Sequence, residues 1–279
     1  MNDIKKYCIE NFKNDYKSLN EIDTSNFYFK DDVTKKHLNN LYESFYELID
    51  SINCDDDIIN LFKISVDNRK LNKNDDIKIS SISTAPYYLC CNIESCDNSH
   101  ICYGAKNERF KNILKYRLSN YIYFLILEYL YITDYNKYVK ILCKSIDKNR
   151  DLLSPIMRIN QQSDIKNNTI LSILNDMLVY IQHFYIKGCV FYTYSKTHNL
   201  NKNNISSYFI INDSIPIIFN ASDLLAYKNC HNIFITIDKS ITVDDIKKLG
   251  IKYYICRGDC GGCQNCFKTN NHITLCYKH

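Results

Sequence analysis

IKISSIS (Ile77–Ser83) is the stretch on which the fold turns. Rich in isoleucine and flanked by polar residues, it reads as a strand. A cysteine-rich loop follows, and then an apolar helix over Asn107–Tyr131. Further on, SPIMRIN (Ser154–Asn160) reads as a short strand and Ile170–Ile186 as a helix. CVFYTYS (Cys189–Ser195), YFIIN (Tyr208–Asn212), IPIIFN (Ile215–Asn220) and NIFITID (Asn232–Asp238) carry the β-branched and aromatic signature of strands. Thr242–Leu249 reads as a short helix, and IKYYIC (Ile251–Cys256) runs as a strand into a second cysteine loop. Strands alternating with helices predict an α/β fold with a mostly parallel sheet, open or barrel-like.

Upstream of Ile77 the texture is helical. LNNLYESFYELIDSI (Leu38–Ile52) sets Leu41, Phe45, Leu48 and Ile52 on one face. Asp55–Asp57 then open DDDIINLFKI as acidic residues at a helix start. KLNKNDD (Lys70–Asp76) reads as a linker. The expected division is a helical amino-terminal extension over 1–75 and an α/β metal-cluster-binding core over 76–279.

The chain has 279 residues, and its 46% hydrophobic content is enough for a sizeable core, which excludes general disorder. A net charge of +4, with no clustered basic residues, falls short of a nucleic-acid footprint. The most apolar stretch, Tyr121–Ile132, is short and carries Glu128, so it predicts a buried helix segment and no membrane span. MNDIKKYCIENFKNDYK at the start has no apolar signal region. The expectation is a cytoplasmic protein in a reducing compartment, where thiolates outnumber disulfides.

Against that background the 14 cysteines need an explanation. CRGDCGGCQNC brings Cys256, Cys260, Cys263 and Cys266 into one short run. Four thiolates so spaced converge on one centre around a tight turn, which Gly258, Gly261 and Gly262 allow. The pattern suits an iron–sulfur cluster, and four thiolates equally suit tetrahedral zinc. YYLCCNIESCDNSHICYGAK offers Cys90 or Cys91 with Cys96 and Cys102, in a loop between a strand and a helix. Three ligands leave a coordination position open, as a catalytic metal needs. His100 is an alternative ligand there. Cys8, Cys54, Cys143, Cys189 and Cys230 are scattered and read as packing or surface residues, while Cys276 lies ten residues beyond Cys266.

STAPYYLC…C…CYGAKNERFKNILKYRLSN resembles the cysteine loop and following helix of the phage gene-product-88 family, found in phages and bacterial mobile elements. Asn112, Tyr116 and Arg117 match that family's Asn-x-x-x-Tyr-Arg run, and FYTYSKT (Phe191–Thr197) its Thr-Lys strand. CRGDCGGCQNCF…ITLCYKH is similar to the family's cysteine-rich ending. Two features depart from it. Asn160 stands at the family's His, in a segment that lacks the family's Gly, and Cys96 and Cys102 are more widely spaced.

The order of elements also looks like a radical-SAM barrel, which implies a partial or modified (β/α) barrel. In that fold a cysteine loop after the first strand holds a 4Fe–4S cluster whose open iron binds S-adenosylmethionine. The resemblance implies that Cys90, Cys96 and Cys102 hold such a cluster. Ser163 and Asp164, after the second strand, are the candidates for cofactor binding. Arg158, Asp164 and Lys196 are the candidate catalytic contacts, and Cys256, Cys260, Cys263 and Cys266 hold an auxiliary cluster. The tight Cys-x-x-x-Cys-x-x-Cys spacing of that superfamily is absent from this first loop.

Three functions follow from these residues. The first is an iron–sulfur enzyme acting on an unknown substrate. The second is a zinc-stapled accessory protein that binds nucleic acid or a host or phage partner. The third is a degenerate homologue that keeps the fold without the chemistry, a reading that Asn160 and the missing Gly favour. No phosphate-binding glycine loop or nucleophile elbow is present, which argues against ATPase and serine-hydrolase activities.

Overall fold

Four isoleucine- and aromatic-rich strands, β1 (Ile79–Ile82), β2 (Ile156–Ile159), β3 (Val190–Ser195) and β4 (Phe209–Ile218), form the first half of a sheet. β5 (Ile233–Ile237), β6 (Tyr253–Ile255) and β7 (Ile273–Tyr277) complete it. The computed structural model describes residues 1–21, 31–66, 78–91, 110–160, 163–197, 199–256, 263, 265–268 and 272–277. The sheet has seven strands in the order β1-β2-β3-β4-β5-β7-β6, and every neighbouring pair is parallel. It is open. The β1 edge is bridged by Ser65, whose N–H donates to the Ser81 carbonyl (2.9 Å) and whose carbonyl accepts from the Ser81 N–H (2.7 Å).

The helices are α1 (Asn2–Glu21), α2 (Asp31–Asp50), α3 (Asp55–Leu61), α4 (Lys111–Thr133), α5 (Tyr135–Lys148), α6 (Asn168–Phe184) and α7 (Val243–Lys248). The register assigns the two faces of the sheet. Ile82, Met157, Ile159, Phe191, Phe209 and Ile211 point to one side, where they share a continuous apolar core with α1 to α6. Ile218, Ile235, Ile237 and Leu275 continue that face under α7. Strand order advances steadily from β1 to β5. Right-handed crossovers then leave the connections from β1 to β6 on one side of the sheet, whereas the β6–β7 connection, which steps back, lies on the other.

The opposite, inner face carries Ile79, Ile156, Val190, Tyr192, Tyr194 and Ile210. There Phe267, in a short 3-10 helix over Asn265–Phe267, packs its ring 4.7 Å from that of Tyr192.

Helices from residues 1–64 belong to the same core as α4 to α6. Phe12 of α1 stacks on Phe45 of α2 with ring centroids 3.8 Å apart. The buried stripe of α2 is Leu38, Leu41, Phe45 and Ile49, whereas Leu48, expected on it, is only half-buried. The stripe runs in steps of three, four and four residues, and Ile49, four after Phe45, continues it. Asp55, Asp56 and Asp57 start α3 as expected, and Asp57 Oδ2 accepts from the Asn53 (2.8 Å) and Cys54 (3.0 Å) N–H groups. Glu128 and its apolar neighbours lie inside α4, and among the described residues no helix is long and apolar enough to cross a membrane.

Three elements differ from the sequence expectation. The strands expected over 208–212 and 215–220 are one strand, β4, with a register shift between Ile215 and Ile218. Pro216 sits in that irregular stretch, where a missing N–H breaks no regular ladder. The tail ITLCY is a strand, inserted between β5 and β6. Residues 135–148 form α5, capped by Asp134, whose side chain accepts from the Lys137 N–H. The linker expected over 70–76 lies outside the described residues.

Candidate functional site

The ends of β1, β2 and β3 meet at the carboxyl edge of the sheet, where parallel α/β folds place their sites. After β2, Asn160 takes φ 53°, a left-handed conformation that asparagine tolerates better than most residues. Its N–H continues the ladder to the Ile82 carbonyl (2.8 Å). Its side-chain Oδ1 accepts from the Thr84 N–H (2.8 Å), the Thr84 hydroxyl (2.7 Å) and the Ser163 hydroxyl (3.1 Å). Asn160 thus clamps the β1 and β2 loops together.

Asp164 performs the same service between β2 and β3. Its carboxylate accepts from the Ser195 hydroxyl (2.5 Å) and the Lys196 N–H (2.6 Å), as well as from the Ile165 N–H (2.7 Å). Thr197 adds a hydrogen bond from its hydroxyl to the Ile165 carbonyl (2.9 Å). Arg158 points to the inner face, with its guanidinium 5.2 Å from the centre of the Tyr194 ring. The candidate residues Arg158, Ser163, Asp164 and Lys196 therefore fall at one edge of the sheet, although Asp164 and Ser163 direct hydrogen bonds within the chain.

The first cysteine loop starts over this edge. Pro86 leads into a 3-10 turn, Tyr87–Leu89, whose buried rings seat the half-buried Cys90 and the exposed Cys91. Cys91 Sγ lies 4.0 Å from Thr197 Oγ1, so the β1 loop reaches the end of β3. A hydrogen bond from the Cys90 thiol holds the Cys91 thiol below its ordinary range, against the opposing charge of Asp164. A lowered pKa favours the thiolate, which is the form that ligates metal. Cys96, Cys102 and His100 lie outside the described residues.

Between this edge and α4 is a small cleft of about 20 Å³, lined in part by Leu89, Cys91, Phe124, Glu128, Asp164 and Lys166. Buried Glu128 accepts from Asn167 Nδ2 (2.7 Å). Lys166 pairs with Asp15 of α1 (3.0 Å), which also accepts from the Tyr121 hydroxyl (2.6 Å). Burial, with Glu128 alongside, pushes the Tyr7 hydroxyl up to about 12. The helical amino-terminal region thus supplies, in Asp15, the ion-pair partner of the cleft's Lys166. Glu128 was legible as the one carboxylate in an apolar helix, whereas Lys166 and Thr84 have no sequence signal.

The second cysteine loop leaves β6 at Cys256 and returns through Cys263 and Cys266 to β7. Cys266 is buried against the inner face, and its carbonyl accepts from Asn212 Nδ2 (3.1 Å). Cys260 and the three glycines of the run lie outside the described residues. Among the described residues no three His, Cys, Asp or Glu side chains form a metal-holding group. Cys8 and Cys189 are packing residues in the core, where burial pushes both thiols up to about 12. Compared with protein-family models, characterised proteins and solved structures, the chain matches none.

Proposed function

We propose that this chain is an iron–sulfur-cluster-binding protein of phage or mobile-element type that works as a radical-SAM-like enzyme on a substrate yet to be identified. The observation that carries the reading is the position of the Cys90–Cys91 turn. It follows the first strand of a parallel sheet, at the carboxyl edge, beside the ends of β2 and β3 and above a cleft. A sheet with its β1–β5 crossovers on one side and a partly polar inner face on the other is also how a partial barrel is built.

In this reading Cys90 or Cys91, with Cys96 and Cys102, would hold the first cluster, and Cys256, Cys260, Cys263 and Cys266 a second. When bound, such a cluster supplies one-electron chemistry to S-adenosylmethionine. The chain's own residues bind and orient. Asn160 and Asp164 fix the three loops relative to one another. Lys166 and Glu128 present opposite charges at the cleft beside Cys91, a pattern suited to a zwitterionic ligand. Arg158 and Lys196 are the candidate substrate contacts. A zinc-stapled accessory role is the alternative outcome of the same test.

The test is metal and sulfide analysis of the full chain purified without oxygen, with its absorption spectrum, followed by a cleavage assay for S-adenosylmethionine. About eight irons with matching sulfide and a brown colour are expected for two 4Fe–4S clusters. Zinc alone in a colourless sample overturns the enzyme reading and leaves the zinc-stapled one. Iron without cleavage of S-adenosylmethionine leaves a cluster-binding chain that has lost the chemistry.

A further inference from the structure

We propose that the carboxyl half of the inner sheet face, walled by Arg158, Tyr194 and Phe234, binds a planar ring that carries an anionic oxygen group, a carboxylate or a phosphate. The inference rests on the reading of this edge as a substrate site, and it names the class of that substrate. Tyr194 stands on β3 and Phe234 on β5, with β4 between them. Two strand spacings amount to about 10 Å, yet the two rings approach to 4.7 Å between centroids, tilted by 56°. They meet because the β4 residues in register with them are short: Asn212 lies opposite Tyr194 and Ser214 opposite Phe234.

The rings form a row that is closed at one end and open at the other. At the closed end Phe267 lies 4.7 Å from Tyr192, and both are buried. Tyr192 meets Tyr194 edge-on, with centroids 6.2 Å apart, and Tyr194 leads on to Phe234. Tyr194, Phe234 and Arg158 are all half-buried, so ring surface beside a cation is left open toward the carboxyl edge. Arg158 stacks its guanidinium on Tyr194, 5.2 Å from the ring centre. Stacking uses the flat face of a guanidinium and leaves its N–H edge in plane, where the fork matches the two oxygens of a carboxylate or phosphate. A ring laid against Phe234 and Tyr194 gains offset or edge-to-face contact and brings its oxygen group to that edge. Neither half of such a ligand suffices alone. The rings do not select for charge, and a half-exposed cation holds a bare anion weakly in water.

The experiment is calorimetric titration of the full chain, purified without oxygen, with two ring-bearing anions, adenosine monophosphate and indoleacetate. Adenosine and indoleacetamide are their uncharged counterparts, and inorganic phosphate is the anion without a ring. At least one ring-bearing anion is expected to bind, about ten-fold or more tightly than its uncharged counterpart and than phosphate. Binding of the first marks a nucleotide site, and binding of the second an aromatic-acid site. These comparisons use the wild-type chain and need no variant to fold. Arg158→Met is expected to weaken the bound anion about ten-fold and leave its uncharged counterpart unchanged, whereas Phe234→Ala weakens both. Binding of neither anion at millimolar concentration, or equal affinity for an anion and its counterpart, overturns the proposal. Wild-type affinity in Arg158→Met does the same. Iron and sulfide are measured on the same sample. A cluster-loaded chain that binds neither anion overturns this proposal and leaves the enzyme reading, and a cluster-free chain that binds one does the reverse.

Discussion

Asn160 holds three donors from two loops while its backbone sits at positive φ. Replacing it with Ala removes the acceptor and adds a left-handed penalty, so Asn160→Ala is expected to cost about 2–4 kcal/mol in urea unfolding. Asn160→Gly loses the same acceptor but tolerates the backbone, and should recover about 1 kcal/mol of that cost. Equal costs for the two would show that the left-handed conformation contributes nothing. Motif reading finds this position only as a departure from a family pattern. Its part in joining Thr84 to Ser163 depends on contacts about 76 residues apart in sequence, which no local window contains. Asp164 is the same case, since a carboxylate after a strand marks a candidate site without revealing that Ser195 and Lys196 face it.

Among the elements, α1 is the least expected part of the core. Phe12 is fully buried and stacked on Phe45, so Phe12→Ala should cost about 3–5 kcal/mol. Val179→Ala, at an exposed position of α6, should stay within about 0.5 kcal/mol. A cost near zero for Phe12→Ala would mean that α1 is not part of the cooperative unit. Helix periodicity made α2, α4 and α6 legible because each buries a stripe or is buried all round. Strands β1 to β3, β5 and β6 were legible from their isoleucine and tyrosine content. β7 was not, although Ile273, Leu275 and Tyr277 alternate with Thr274 and Cys276, because its cysteine reads first as metal chemistry. Pro216 suggested two strands where there is one, since a bulge that accommodates proline has no signature of its own.

At the scale of the molecule, the amino-terminal helices and the first cysteine loop are joined through a titratable contact. His37 of α2 is buried, with Nδ1 3.1 Å from the Tyr88 hydroxyl in the turn that precedes Cys90. Burial, with Lys36 nearby, lowers its pKa. A histidine depressed in the folded chain takes up protons more readily when unfolded. Its contribution is therefore fully present above the unfolded value of about 6.5 and is lost as pH falls from there toward the folded pKa. Unfolding measured at pH 7.5 and pH 5.5 should show a drop in stability that is smaller in His37→Gln. An identical pH slope in the two chains would exclude His37 as the source.

The insertion of β7 between β5 and β6 has a consequence for synthesis. β6 emerges from the ribosome before β7, the strand it pairs with among the described residues, and β5 waits with one edge uncovered for the same partner. During that interval two unpaired edges are open to pairing with other chains. β7 is then the keystone of the β5–β6 half of the sheet, so pausing or truncation upstream of Ile273 would release a nascent chain prone to aggregate.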